Sequence, residues 1–304
     1  MSGKKEEKHT ISIKDRVQGI RTDDLFREIT SDELKQLQNT LLDMYKDILS
    51  VCEEYDIVPY LIGGSALGAV RHQGFIPWDD DLDVGMTRGD YVQFRKVFRK
   101  ELSEGYRLNA PNFSADPKAR FPKVIKKNTV CREIVDVDDP KRNGIFLDIF
   151  ILDDVPKDAV RRKIKGAFCN GLEFISGQVF LKEHMTEDAK EMYLRMGKRS
   201  YLTHYLVGTA FSLIPSRNWF HAIDKAVRYS NSSDYIGIPT GRKHYFGEIF
   251  EKKDLFPPVY LQFEDIKAPV FRDYDKYLRN LYGDYMRIPK PEDREKHYIV
   301  ELKI

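Results

Sequence analysis

The sequence predicts an α+β fold, a β-sheet flanked by helices. Three observations carry that expectation. A long amphipathic helix pattern begins near Ser31, short apolar runs bounded by glycine and acidic turns follow it, and the stretch from Asp158 to about Ser230 lacks strand signals altogether. At 304 residues the chain suits one large domain or two modest ones. Its 41% hydrophobic and 32% charged residues are those of a globular chain with a real core, which excludes collagen-like, mucin-like and disordered classes.

The elements follow in order. Residues 1–30 read as a polar N-terminal arm. Ser31-Asp32-Glu33-Leu34 reads as a helix start with Ser31 or Thr30 as its cap. Leu34, Leu37, Leu41, Met44, Ile48, Leu49 and Cys52 then recur at helical spacing, so the helix ends near Glu54. Ile57–Ile62 is a short apolar run ending in Gly63-Gly64, a strand entering a tight turn. Ser65–Arg71 resembles a short helix. Leu82 and Val84 alternate with Asp81 and Asp83 as in a second strand, and Arg88–Leu102 reads as a helix. Lys123–Ile125 and Thr129–Val135 are expected to form a hairpin. Gly144–Leu152 is an apolar run rich in Ile and Phe, expected to be a central strand. Residues 31–155 then make a core and 156–235 a helical insertion. An aromatic C-terminal region, 236–304, completes the core, with a last helix near Tyr274–Leu281.

The 50 basic and 48 acidic side chains nearly cancel, leaving a net charge of +2 and no global nucleic-acid footprint. No nucleic-acid partner is expected. Cys52, Cys131 and Cys169 are odd in number and far apart, so neither a disulfide framework nor a structural zinc site is expected, and a reducing cytoplasm fits. The first ten residues lack the apolar core of a signal peptide, and Ser2 stands where an N-myristoylated chain has Gly. Tyr201–Pro215 is the most apolar stretch and too short to span a bilayer. It reads as a buried helix, with an interfacial helix as the alternative.

The segment Gly63–Gly85, GGSALGAVRHQGFIPWDDDLDVG, is the richest in chemistry. On a strand, Asp81 and Asp83 share one face. Two such carboxylates repel unless a cation joins them, and hard oxygen ligands suit Mg²⁺ or Mn²⁺. The Gly63-Gly64 turn lets a phosphate approach the backbone, and a helix opening at Ser65 adds amide N–H groups. Together these parts point to phosphoryl or nucleotidyl transfer. Taken singly, the acids could be a solvated loop, the glycines an ordinary turn and Trp78 a core residue. An EF-hand is excluded, because Val84 and Asp90 stand where its Gly and Glu belong. Asp148, alone in an apolar strand, is a candidate third acid, as metal ligand or as base. Arg71 and Lys123 are the best candidates to steady phosphate oxygens. Near the C-terminus, Arg294 and His297 form a basic pair.

These residues resemble the LicD family of phosphotransferases, whose relatives include fukutin and the fukutin-related protein. PWDDDLD in its GGS…R context carries the resemblance. GIFLDIFILD (Gly144–Asp153), Phe263-Glu264 to Pro269, Tyr282–Met286 and Arg294 to His297 extend it over most of the chain. One departure is visible: the family often follows YGDYM with a Pro-Pro pair, where this chain has Ile288-Pro289-Lys290-Pro291. The resemblance implies a nucleotidyltransferase-like fold with a mixed sheet carrying the acids. It also implies metal-dependent transfer of a phospho-alcohol group, phosphocholine or similar, from a CDP-linked donor to a glycan hydroxyl, releasing CMP. Asp81, Asp83 and Asp148 would be the catalytic and metal-binding acids, holding Mg²⁺ or Mn²⁺. Gly63, Gly64, Ser65, Arg71, Trp78 and Lys123 would serve the donor phosphate and nucleotide. The acceptor would be a cell-surface glycan or its lipid-linked precursor, and the protein cytoplasmic or peripheral at the inner face of the membrane. Two rivals stand beside this reading: a nucleotidyltransferase moving a nucleoside monophosphate to a small acceptor, and a non-catalytic nucleotide- or glycan-binding module.

Overall fold

A computed structural model describes residues 29–133, 143–294 and 299–304. Helix α1 (Ser31–Glu54) starts at Thr30, whose hydroxyl accepts from the Glu33 amide while Glu33 reaches back to the Thr30 amide, a complete capping box. Its inner stripe of Leu37, Leu41, Met44, Tyr45, Ile48 and Cys52 is buried in the main core. The Ile57–Ile62 run supplies only the two-residue strand β1 (Tyr60–Leu61). Pro59 brings no N–H to a ladder, and α2 (Gly63–His72) begins at Gly63, two residues before the expected Ser65.

Strand β2 (Asp83–Thr87) leads through the Thr87 cap into α3 (Arg88–Glu101). Strands β3 (Tyr106–Asn109), β4 (Lys123–Lys126), β5 (Val130–Glu133) and β6 (Phe146–Asp154) follow. The sheet runs β1-β2-β6-β4-β3, with β2 and β6 parallel and the other pairs antiparallel, so it is mixed. The hairpin expected between 123–125 and 129–135 does not form. Both edges of β4 are taken, by β3 and β6, so β5 turns away and pairs with β11 (Ile299–Lys303). Val135, the far end of that expected hairpin, lies outside the described residues, as do residues 1–28 of the N-terminal arm and His297 of the basic pair.

The strandless stretch holds four helices, α4 (Ala159–Glu183), α5 (Glu187–Met196), α6 (Lys198–Phe211) and α7 (Ser216–Val227). The first and last of them, α4 and α7, build a small second core in which Cys169, Phe220, Ile223 and Val227 meet Val155 and Tyr245. Strand β7 (Tyr235–Gly237) joins the end of β6, and β8 (Ile249–Glu251) joins β7. Between them lies the one-turn helix α8 (His244–Gly247), and α9 (Lys252–Leu255) follows β8. A hairpin absent from the sequence reading, β9 (Val259–Phe263) with β10 (Ile266–Val270), turns at Glu264, whose φ is +52°. The last helix, α10 (Tyr274–Tyr282), falls where expected. Among the described residues no helix is long and apolar enough to cross a membrane. The three cysteines are free and buried.

Candidate active site

Sheet register builds the site. Asp83 on β2 stands directly beside Asp148 on β6, and Asp148 stands directly beside Lys123 on β4. The three therefore form one row across three strands on one face, since paired residues share a side. The opposite face is the core: Leu82, Val84, Val124, Leu147 and Ile149 are fully buried. The expected alternation thus holds, although Asp81 precedes β2. Leu82 ties this entry to the sheet, its carbonyl accepting from the Asp148 amide at 3.2 Å.

Lys123 Nζ lies 2.9 Å from Asp148 Oδ1 and 3.2 Å from Oδ2. The ammonium also sits 3.4 Å above the Phe146 ring. Burial pushes the Asp148 carboxyl up, Lys123 pulls it down, and the charge of Asp81 adds to the rise. Asp148 is therefore a carboxyl held between a cation and the acid pair.

The glycine turn closes on the same acids. Gly63 has φ +53°, where a side chain is strained, and its N–H donates to Tyr277 Oη at 3.1 Å. A Cβ on Gly63 would stand 3.2 Å from Asp83 Oδ2, and one on Gly64 would stand 2.9 Å from Asp79 Oδ2. Ser65 is buried, and its hydroxyl accepts from the Asp83 amide at 2.9 Å. Its side chain thus fixes the backbone of the acid, and a phosphate at this turn would meet the amides of Gly64 and Ser65 in the first turn of α2.

Arg71 and Trp78 come together on the other side of α2. Arg71 Nη1 donates to the Tyr285 carbonyl at 2.7 Å, and its Nε to His72 Nε2 at 2.9 Å. Desolvation lowers the Arg71 pKa, and Tyr282 and Asp79 oppose that shift. The Trp78 ring has the Arg294 guanidinium 4.0 Å from its centroid and that of Arg71 at 6.0 Å. Arg71 therefore binds the C-terminal YGDYM loop to α2, and the aromatic face of Trp78 is shared by two guanidiniums.

Several supports escaped the sequence reading. Gln38 on α1 donates to the Asp79 carbonyl at 2.9 Å and steadies the acidic turn. Glu264 Oε1 accepts from the Phe75 amide at 3.0 Å, while the Phe75 and Phe263 rings pack at 4.9 Å. Tyr277, fully buried, holds Gly63. The C-terminal motifs thus act as the scaffold of the glycine turn and of the loop ahead of the acids.

The donor set fits a hard divalent cation. Asp81 and Asp83 offer only oxygens, and the bare Gly63 and Gly64 let the turn come close to Asp83 and Asp79, where a Cβ would crowd those carboxylates. Among the described residues no three His, Cys, Asp or Glu side chains converge as metal ligands. With Asp148 paired to Lys123, the pair Asp81 and Asp83 is the better candidate holder.

Comparisons with known proteins bear on the same residues. The family model described as LicD/FKTN/FKRP, nucleotidyltransferase domain, matches residues 56–170, which span the glycine turn, the acid row and Lys123. The chain is 31% identical over 280 residues to the lipopolysaccharide cholinephosphotransferase LicD of Haemophilus influenzae, a match covering 89% of this chain and 98% of that protein. An uncharacterized protein of Rickettsia typhi is 38% identical over 69 residues, covering 23% of this chain and 22% of that protein. One of Rickettsia prowazekii is 30% identical over 118 residues, covering 39% and 41% respectively.

Proposed function

The chain belongs to the LicD family, and on that premise we propose that it is a transferase moving phosphocholine from CDP-choline to a hydroxyl of a lipopolysaccharide-type glycan, releasing CMP. The observation that carries this reading is the Asp83–Asp148–Lys123 row set against the Gly63-Gly64 turn. The acceptor oxygen attacks the phosphorus that bears choline. The phosphoanhydride bond to CMP breaks, and CMP leaves with the bridging oxygen. Asp148, whose pKa burial raises against the pull of Lys123, takes the hydroxyl proton. Lys123 holds that carboxylate in place and faces the phosphate oxygens. The amides of Gly64 and Ser65 orient the pyrophosphate. Asp81 and Asp83 would hold Mg²⁺ or Mn²⁺, which neutralises pyrophosphate charge when bound.

The test is a donor panel. Purified protein receives CDP-choline, CDP-ethanolamine, CDP-glycerol or CDP-ribitol, with a lipopolysaccharide acceptor and either Mg²⁺ or EDTA, and CMP is read. CMP from CDP-choline, lost with EDTA, is expected. Pyrophosphate from a nucleoside triphosphate, with no CMP from any of the four donors, would replace this reading with a nucleotidyltransferase.

A lipid-linked acceptor calls for peripheral contact with the inner face of the membrane, which we assign to α6 and the turn after it. Leu213 is 96% exposed and Leu206 65%. The helical stretch 156–235 carries thirteen basic and eight acidic side chains, against a near-neutral whole chain. Flotation with anionic liposomes is the expected behaviour, lost when Leu206 and Leu213 both become Ser. Equal flotation of the double variant would remove α6 from the contact.

A further inference from the structure

Three segments distant in sequence meet at Glu173. Glu173, on α4 of the helical insertion, is a buried carboxylate. Its Oε1 lies 2.7 Å from Arg120 Nε, in the segment ahead of β4, and its Oε2 lies 2.9 Å from His244 Nδ1, at the start of α8. A carboxylate withdrawn from water needs such partners. The partners themselves remain one-third exposed, 33% each. Glu173 occupies one edge of the guanidinium and one nitrogen of the imidazole. The terminal amino groups of Arg120 are the donors left beyond that contact, and Nε2 of His244 joins them when both ring nitrogens carry a proton.

Position ties this cluster to the acid row. Arg120 lies 5.8 Å from the centroid of the Phe121 ring, and Phe121 stacks on Phe150 at 4.7 Å. Phe150 follows Asp148 by two residues on the same face of β6, and Lys123 Nζ is 5.4 Å from the Phe121 centroid. From the other side, Arg242 sits 5.4 Å over the ring of Tyr282, whose hydroxyl is 3.8 Å from where a Gly63 Cβ would stand. The short segment Arg242–His244 therefore links Tyr282, beside the glycine turn, to Glu173.

We infer that Arg120 and His244, the latter with both ring nitrogens protonated, form a second anion-contacting pair beside the acid row and the glycine turn, and that Glu173 is the positioning residue that aims them. Their ligand is an oxygen of the donor's pyrophosphate, so the inference rests on the transferase reading above. It gives the insertion a part in donor binding, because only the docking of α4 delivers Glu173.

Calorimetric binding of CDP-choline, cytidine and inorganic pyrophosphate, in the presence of Mg²⁺, tests it on the intact chain. Glu173→Gln and Arg120→Gln are each expected to weaken CDP-choline and pyrophosphate about tenfold while leaving cytidine unchanged, the scale of one charge-assisted contact. Donor KM is expected to rise with kcat little altered. Unchanged CDP-choline and pyrophosphate affinity in Arg120→Gln overturns the pair. Cytidine and CDP-choline weakening together, with a lower melting midpoint, reduces Glu173 to a structural clamp. If wild type binds pyrophosphate but not CDP-choline, the pair is judged by the pyrophosphate arm and the donor assignment alone fails. If wild type binds no pyrophosphate, the pair itself is refuted.

Discussion

Asp83→Asn is expected to lower metal-dependent CMP release about a thousandfold with the fold intact, because the Asp83 backbone is held by its amide to Ser65 and by its ladder with β6, neither of which uses the carboxylate. The loss of rate follows from what the carboxylate charge does. Charge neutralisation on a transferring phosphoryl group is worth several kcal/mol, and about 1.4 kcal/mol is a factor of ten. Asp148→Asn provides the contrast. It strands Lys123, whose side chain is 18% exposed, without its counter-charge above the Phe146 ring. That variant is expected to lose activity and about 3 kcal/mol of stability together, as when one partner of a buried pair is removed. Melting curves and CMP release, measured on both variants, check the pair of outcomes. A stable, fully active Asp83→Asn would remove Asp83 from the chemistry.

The acid row was legible because its signals are local. Alternation at Asp81-Leu82-Asp83-Val84 marks a strand with one polar face, and a lone acid at Asp148 inside the apolar run Gly144–Leu152 asks for a partner. What was not legible is who the partners are. The Lys123–Asp148 pair depends on β4 lying between β3 and β6, whereas local pattern favoured a hairpin of β4 with β5. Glu264 reaches Phe75 across 189 residues, and Tyr277 reaches Gly63 across 214. No periodicity encodes such contacts, and only the resemblance of the Phe263-Glu264 and YGDYM strings hinted that the C-terminus served the site. The Glu173 cluster is hidden for a related reason. A single acid on a helix with half-apolar turns reads as surface until the helix is docked.

Arg88→Ala is expected to cost about 3–5 kcal/mol, the range for breaking a buried ion pair from one side. Arg88 opens α3 and grips Asp153 with two bonds, Nε to Oδ1 at 2.8 Å and Nη2 to Oδ2 at 2.6 Å. Its Nη1 donates to Asp224 on α7 at 2.7 Å. Asp224 also accepts from Asn112 at 2.7 Å and from Arg228 at 2.5 Å. Asp153 is 2% exposed and Asp224 5%, so neither carboxylate recovers its loss from water. At roughly 2–4 °C per kcal/mol for a chain of this order of size, the melting midpoint falls on the order of 10 °C. Arg88→Lys is expected to fall between, because one ammonium cannot meet a bidentate carboxylate and a second acid at once. Combining Arg88→Ala with Asp153→Asn and Asp224→Asn removes the stranded charges and is expected to restore part of the stability, a non-additivity that independent sites would not give. The network has a second consequence. Asp153 lies on the strand that carries Asp148, and Asp224 lies in the insertion that carries Glu173. Loosening Arg88 is therefore expected to raise donor KM in the folded protein below its new midpoint. A destabilised Arg88→Ala with unaltered KM would show that the insertion stays docked without this bridge.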